Sequence, residues 1–285
     1  MKYLITILIL CFCSFKTYSQ IYSGQLTDLE SGLPIQYANI GILGKNVGTV
    51  SNNLGRFQME LSDDFNKDTL CISCIGYESN KYLIAKLKNS LKDIDEVKIE
   101  LKPKIYQLEE IIVKPIDLET YTLGNFCEPD SPYGNSFPSK NLGTEIGVMI
   151  KLPEDVDKAY LKELRFYVGE FTYDYFTVRL NVYNIKDGLP NKNILNKQIF
   201  IDISSIGEYI LDLQRKNIVT TGDFFVCLEY FKIPDQHEGK LIFCAVHNPD
   251  IHKGNGYYRL TSHGKWNREY GDNLGFSVKV ECEER

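Results

Sequence analysis

The sequence predicts an all-β protein built from two β-sandwiches, and three observations carry that expectation. Short apolar stretches with alternating polar residues recur from Ile21 to Val280, broken by Gly, Asn, Asp and Pro signals, which is how strands and their turns read. Strand formers dominate, with 19 Tyr and 15 Phe among 285 residues. That length exceeds the needs of one small sandwich and suits two domains of roughly 100 to 150 residues.

Residues 1–19 have the layout of a secretory signal peptide: Lys2, the apolar run Tyr3 to Phe15, and the small Ser19 before Gln20. Cleavage is expected near Ser19–Gln20. The apolar run falls short of the ~20 residues that span a bilayer, and no later stretch approaches that length. Leu10 and Phe12 fill the places before Cys11 and Cys13 where lipid attachment needs a small residue, so no lipoprotein is expected. Losing Lys2 and Lys16 from the 32 basic residues leaves 30 against 38 acidic ones, a net charge of −8. Nucleic acid is set aside as a partner, because its binding rests on phosphate contacts and no basic cluster exists here.

The first domain is expected over residues 20–114. Ile21 to about Asp28 reads as a strand, E-S-G-L-P turns the chain, and Ile35 to Leu43 reads as the second strand. Val47–Ser51 and Arg56–Leu61 flank N-N-L-G, a hairpin turn in which Gly55 can take the left-handed conformation. Leu70–Ile75 is the central strand, with Leu70, Ile72 and Cys74 on one face. Tyr82–Leu91 fits a short helix or a strand and is read as an irregular edge. Val97–Leu101, V-K-I-E-L, is a half-buried strand that Pro103 ends.

The motifs G-Q-L-T-D-L-E-S-G-L-P-I-Q-Y-A-N-I, V-G-T-V-S-N-N-L-G-R-F and D-T-L-C-I-S-C-I-G-Y resemble the carboxypeptidase regulatory-like domain. That domain is a transthyretin-like β-sandwich found at the start of many TonB-dependent outer-membrane receptors and in other proteins of the bacterial cell envelope. Asn52 and Asn53 keep the family's Asp/Asn-rich turn before Gly55, while Cys74 stands where the family commonly has a larger apolar residue. Y-Q-L-E-E-I-I-V resembles the closing segment that leads into the receptor plug. Only about 170 residues follow, so neither plug nor barrel is expected and the receptor function does not carry over. The resemblance implies a domain that accompanies enzymes and receptors without supplying their active sites.

Residues 115–144, with Pro115, Pro129, Pro132 and Pro138 and little periodicity, read as a linker. Nine strand signals follow over 145–285: I-G-V-M-I-K-L, L-K-E-L-R-F-Y-V, F-T-V-R-L-N-V-Y, N-K-Q-I-F-I-D-I, E-Y-I-L-D-L, F-F-V-C-L-E-Y-F, K-L-I-F-C-A-V, G-Y-Y-R-L and F-S-V-K-V. They predict a second sandwich, jelly-roll-like, similar to modules that follow the regulatory domain in envelope proteins.

Export makes disulfides possible. Cys71 and Cys74, three apart in a strand, point to opposite faces with Cα atoms ~10 Å apart, too far for a bond, and read as small apolar fillers. If the strands around Cys227 and Cys244 form a hairpin pairing Phe231 with Lys240, Cys227 lies opposite Cys244 within disulfide range; two buried free thiols are the equal alternative.

Catalytic motifs are missing: there is no G-x-S-x-G and no H-E-x-x-H, and His237-Glu238 sits in a hairpin loop. His247, Asp250 and His252 could hold a metal only if His263 folded over them, and no metal or cofactor is expected. In G-E-F-T-Y-D-Y-F-T-V-R-L-N-V-Y, Phe176, Val178, Leu180 and Val182 alternate as a buried face, leaving Tyr173, Tyr175, Arg179 and Tyr183 on the other. These four are the candidate ligand-binding residues, a flat aromatic platform beside a cation, of the kind that stacks on sugars or anchors a protein. A cover of loop or first domain, or a segment Phe171–Tyr175 packed on the core, is the competing reading. The sequence thus points to an exported, non-enzymatic envelope protein, periplasmic, outer-membrane-associated or at the cell surface, that binds a protein partner or glycan. The alternative is an export-linked hydrolase or metal-binding protein whose site has no readable motif.

Overall fold

The computed structural model describes residues 19–90, 96–104, 118–235, 238–248, 250, 254–269 and 271–284. The strands of the first module are β1 (Ser19–Asp28), β2 (Asn39–Ile42), β3 (Gly48–Val50), β4 (Arg56–Ser62), β5 (Thr69–Ser73), β6 (Asn80–Leu83) and β7 (Val97–Leu101), with helix α1 (Ile84–Ser90) after β6. They form two sheets, ordered β4-β1-β7 and β3-β2-β5-β6. Alternation decides which side chains enter. Phe57, Met59 and Leu61 of β4 point inward while their neighbours are exposed, and with Leu26, Ile40, Leu70, Ile72 and Leu101 they make the core. Each such fully buried Leu or Ile contributes about 1.5–3 kcal/mol.

The turn before Gly55 is built as its residues require. The Asn52 side chain accepts from the amides of Leu54 and Arg56, both at 2.9 Å, and Gly55 has a φ of +70°. The segment read as an irregular edge is instead regular. β6 pairs with β5, and α1 follows because Ile84, fully buried, donates its amide to Asp68 while Lys88 bonds the Ser62 carbonyl and Asp63. Cys71 and Cys74 are both buried and unbonded to each other.

The second module comprises β8 (Glu119–Gly124), β9 (Gly134–Asn135), β10 (Thr144–Ile150), β11 (Val156–Phe171), β12 (Phe176–Lys186), β13 (Leu189–Asn193), β14 (Ile199–Ile203), β15 (Gly207–Asp212), β16 (Val219–Thr220), β17 (Phe224–Tyr230), β18 (Leu241–Val246), β19 (Gly256–Arg259), β20 (Asn267–Arg268), β21 (Asn273–Leu274) and β22 (Ser277–Glu284). One sheet runs β13-β12-β17-β10-β19-β20, the other β21-β18-β11-β22-β8. Between them lies a core of its own, including Val148, Leu164, Phe166, Leu180, Phe243 and Val278. All nine expected strands are present.

The stretch 115–144 is more than a connection. β8 pairs in register with β22, Tyr121 with Val280 and Leu123 with Val278, and Tyr121 and Leu123 pack on the core. Its prolines concealed a short strand whose alternation spans only six residues.

Of the two readings left open for Cys227 and Cys244, the bond between them is corrected, and the free-thiol reading holds for Cys227 but not for Cys244. β17 and β18 are not a hairpin: β17 lies between β12 and β10, whereas β18 pairs with β11 in the opposite sheet, so no register sets these two cysteines face to face. Cys244 is bonded instead to Cys127, with Cα atoms 6.1 Å apart, and Cys227 is a buried free thiol in a small cluster with Tyr183, Phe225 and Tyr257.

The two modules touch through the end of the β1–β2 connection, β2, and the loop after β19. Gly41 is required there, since a Cβ on it would stand 2.0 Å from the Ser262 carbonyl oxygen. The His263 Nε2 and Ser73 hydroxyl lie 3.2 Å apart, the His263 carbonyl accepts from Gly44, and Ser262 bonds Asn39.

Candidate functional site

The four residues proposed as one platform are split among three environments. Strand β12 is covered on both faces over most of its length, so its polar side chains are not an open surface. Arg179 is the largest fully buried side chain among the described residues. Its Nε and Nη2 donate to the two Glu229 carboxylate oxygens at 2.9 and 2.7 Å, and its other N–H groups reach Gln198, Asn39 and the Tyr37 carbonyl. Burial alone would raise the Glu229 carboxyl, but Arg179 beside it overrides that and holds it below the usual carboxylate range. Tyr183 is also buried, its hydroxyl 3.1 Å from both Glu145 oxygens, with Arg259 completing the group and stacking on Trp266 at 5.0 Å. Burial pushes the Glu145 carboxyl up to about 7. Arg179 and Tyr183 are therefore interior parts, and the platform as a single face does not exist.

Tyr175 is exposed and bonds Asp202, which raises its phenol. Tyr173 alone lines a cleft. It lies where the loop between β11 and β12 meets the loop between β17 and β18 and the strap 136–140 that follows β9. The cleft has a volume of about 290 Å³ and is lined by Phe137, Tyr173, Phe176, Tyr230, Lys140 and Lys240, among others. Its loops are fixed by two bonds, Thr172 amide to Lys240 carbonyl at 3.0 Å and Lys240 amide to Thr172 hydroxyl at 2.8 Å.

The aromatic wall is continuous. Tyr173 packs on Phe176 at 5.0 Å between ring centres, Phe176 on Tyr230 at 5.6 Å, and Phe137 on both Phe176 and Tyr230 at 6.3 and 6.0 Å. The Tyr173 ring fits only because residue 239 is glycine: a Cβ there would fall 2.6 Å from the ring. Tyr230 is 7% exposed and forms part of the cleft wall. Burial raises its phenol, and the nearby Tyr173 hydroxyl raises it further. Sequence alternation could not find this site, because it gathers residues from three separated loops. The run Tyr173, Tyr175, Phe176 was the one available signal.

The imidazoles do not form a metal site among the described residues. His247 Nδ1 lies 2.8 Å from Asp272 and its ring stacks on Tyr133 at 4.7 Å, whereas His263 turns to the first module. His252 and His237 lie outside the described residues. No group of three metal-ligating side chains occurs among the described residues. The residues lining the aromatic cleft include neither carboxylate nor imidazole nor thiol; their titratable groups are Lys140, Lys240, Tyr173 and Tyr230.

Residues 22–113 match the family model described as "CarboxypepD_reg-like domain". No curated protein matches the sequence. Among solved structures, the chain is similar to the cysteine protease and lectin-like domains of Cwp84, a surface layer associated protein of Clostridium difficile. The identity is 8% and the TM-score 0.35, over 50% of this chain and 32% of that one. A structure of infectious bursal disease virus, Gx strain, is similar at 8% identity and a TM-score of 0.25, over 94% of this chain and 60% of that one. The chain thus spans less than two thirds of either structure.

Proposed function

We propose that this protein is an exported, non-catalytic binding module of the cell envelope, and that it holds a glycan or a protein partner in the cleft between Tyr173 and Tyr230. The match of residues 22–113 to the CarboxypepD_reg-like domain model suggests a β-sandwich module that does not itself catalyse, which supports a structural or recognition role. The leader-like stretch at residues 1–19 supports export. No helix among the described residues is long and apolar enough to cross a membrane.

The observation that carries the reading is the cleft of about 290 Å³ walled by Phe137, Tyr173, Phe176 and Tyr230, with Lys140 and Lys240 at its rim. Aromatic walls with a few polar tips are the usual lining of sites that hold small ligands and anchor partners. The test is affinity capture from the native envelope fraction, using the mature protein and its Tyr173→Ala variant as baits. Wild-type bait is expected to retain a component that the variant loses, with both baits melting at similar temperatures. Identical capture by both would remove the cleft as the site.

A further inference from the structure

Resting on the binding reading above, we infer that the cleft takes a sugar ring bearing a negative charge, a uronic acid, either free or within an acidic polysaccharide. Size comes first. At about 290 Å³ the cleft stands at the small end of ligand sites, which run from about 300 Å³, and it holds a ring or two. A protein partner instead covers about 800 Å² on each side. The cleft's shape therefore selects a short, narrow ligand.

Its walls match the two sides of a pyranose. The Tyr173 ring lies against the backbone at Gly239 on one side and is propped by Phe176, leaving a fixed aromatic surface whose negative face suits the C–H groups of a sugar. The phenols of Tyr230 and Tyr173, both of which line the cleft, offer hydrogen bonds to ring hydroxyls.

Charge decides the class of sugar. The chain carries a net charge of −6, yet the rim of this cleft carries two lysines. Lys240 shares its charge with Glu170 at 2.9 Å, while Lys140 has no ion pair among the described residues. One uncompensated cation thus stands at the mouth of an aromatic cleft on an acidic protein, which is complementary to a carboxylate on the bound ring.

The experiment is isothermal titration of the mature full chain with short acidic oligosaccharides (oligogalacturonides, alginate fragments, hyaluronan fragments), with free galacturonic acid, and with carboxyl-reduced oligogalacturonides. At least one acidic oligosaccharide or the free acid is expected to bind, and its carboxyl-reduced form to bind about tenfold more weakly. Lys140→Gln should lower affinity for the acidic form about tenfold and leave the reduced form unchanged, whereas Tyr230→Phe should weaken both. Neither substitution removes core volume, so melting temperatures should hold. Binding of the free acid as tight as that of the oligomers would place the ligand as a single sugar acid, and tighter binding of the oligomers would place it in a polysaccharide. Equal binding of acidic and reduced forms, or no effect of Lys140→Gln, overturns the charge. If no sugar binds while the envelope fraction still yields a Tyr173-dependent protein, the inference is overturned and the binding reading stands. If nothing is captured in a Tyr173-dependent way, both fall.

Discussion

Arg179 and Glu229 form a bidentate ion pair in the interior of the second sandwich, at 2.9 and 2.7 Å, with 2% and 0% of their side chains exposed. Two charges withdrawn from water cost several kcal/mol each, and the pair survives only because the remaining polar groups are also met. Asn181 supplies one bond to Glu229 at 2.6 Å. The guanidinium is completed by Asn39 and the Tyr37 carbonyl, which belong to the first sandwich. The interior of one module is therefore finished by the other, and the two are coupled in stability.

Arg179→Met should accordingly destabilise the whole chain by about 3–5 kcal/mol, because it strands the Glu229 carboxylate in the interior. Arg179→Met combined with Glu229→Leu should recover most of the loss. Urea unfolding of the two variants checks this. A loss below about 1 kcal/mol for the single variant would mean that water reaches Glu229 freely.

His263 makes folding sensitive to acid. Its ring is enclosed between the modules beside Ser73, and burial first, then the nearby Arg259, holds its pKa down to about 4 against an ordinary 6.5. Between those values the unfolded chain binds the proton and the folded chain does not, so stability falls as pH drops from about 6.5 through 4. The full effect is at most about 3 kcal/mol. Glu145 works in the opposite direction, because its pKa is raised to about 7 from 4.5 and the folded state gains stability as pH falls through that window. The difference between wild type and His263→Asn isolates the histidine, and asparagine tolerates the φ of +58° at this position. Chemical denaturation at pH 7 and at pH 4.5 should show the wild type losing more stability than the variant. Equal losses would place the imidazole in water.

Much of the fold was legible because strands announce themselves by alternation. Phe57, Met59 and Leu61 in β4 and Ile199, Ile201 and Ile203 in β14 point inward as period two requires. The same rule left two readings open at β12, an outer platform or a face covered by a loop or the first domain, and for Arg179 the cover is what the structure has. The polar members of β12 alternate with apolar ones as on a half-exposed strand, but a sequence cannot show that Tyr37 and Asn39, more than a hundred residues earlier, cover Arg179. A buried Arg and an exposed Arg look alike until the carboxylate that pairs with it is located. The cleft escaped for a related reason, since Phe137, Tyr173 and Tyr230 converge only after both sheets have formed.

The Cys127–Cys244 bond closes a loop across 117 positions and ties the segment after β8 to β18. Loops of that length gain the most from closure in the unfolded chain, so Cys127→Ser with Cys244→Ser should lower stability by about 2–5 kcal/mol. Peptide mapping without reductant should recover the two cysteines crosslinked and Cys227 alkylated only after unfolding. A Cys227–Cys244 crosslink in that map would reject the placement of β17 and β18 in opposite sheets.

The tightest test of the cleft uses the glycine behind it. A methyl group at residue 239 would stand 2.6–2.7 Å from three atoms of the Tyr173 ring, closer than such atoms approach, so Gly239→Ala must displace the ring from its place in the cleft wall. The backbone at that position needs no positive φ, so alanine itself is unstrained and the displacement falls on the ring. Tyr173 is half-buried at the rim, and moving it should cost less than about 1 kcal/mol of stability while disrupting the cleft wall. Capture by Gly239→Ala is therefore expected to fall as far as capture by Tyr173→Ala. Tyr175→Ala serves as the control, since that ring is 47% exposed, bonds Asp202 and does not line the cleft. If Tyr175→Ala abolished capture and Gly239→Ala left it intact, the ligand would sit on the outer surface beside β14, and the cleft would be only a gap between loops.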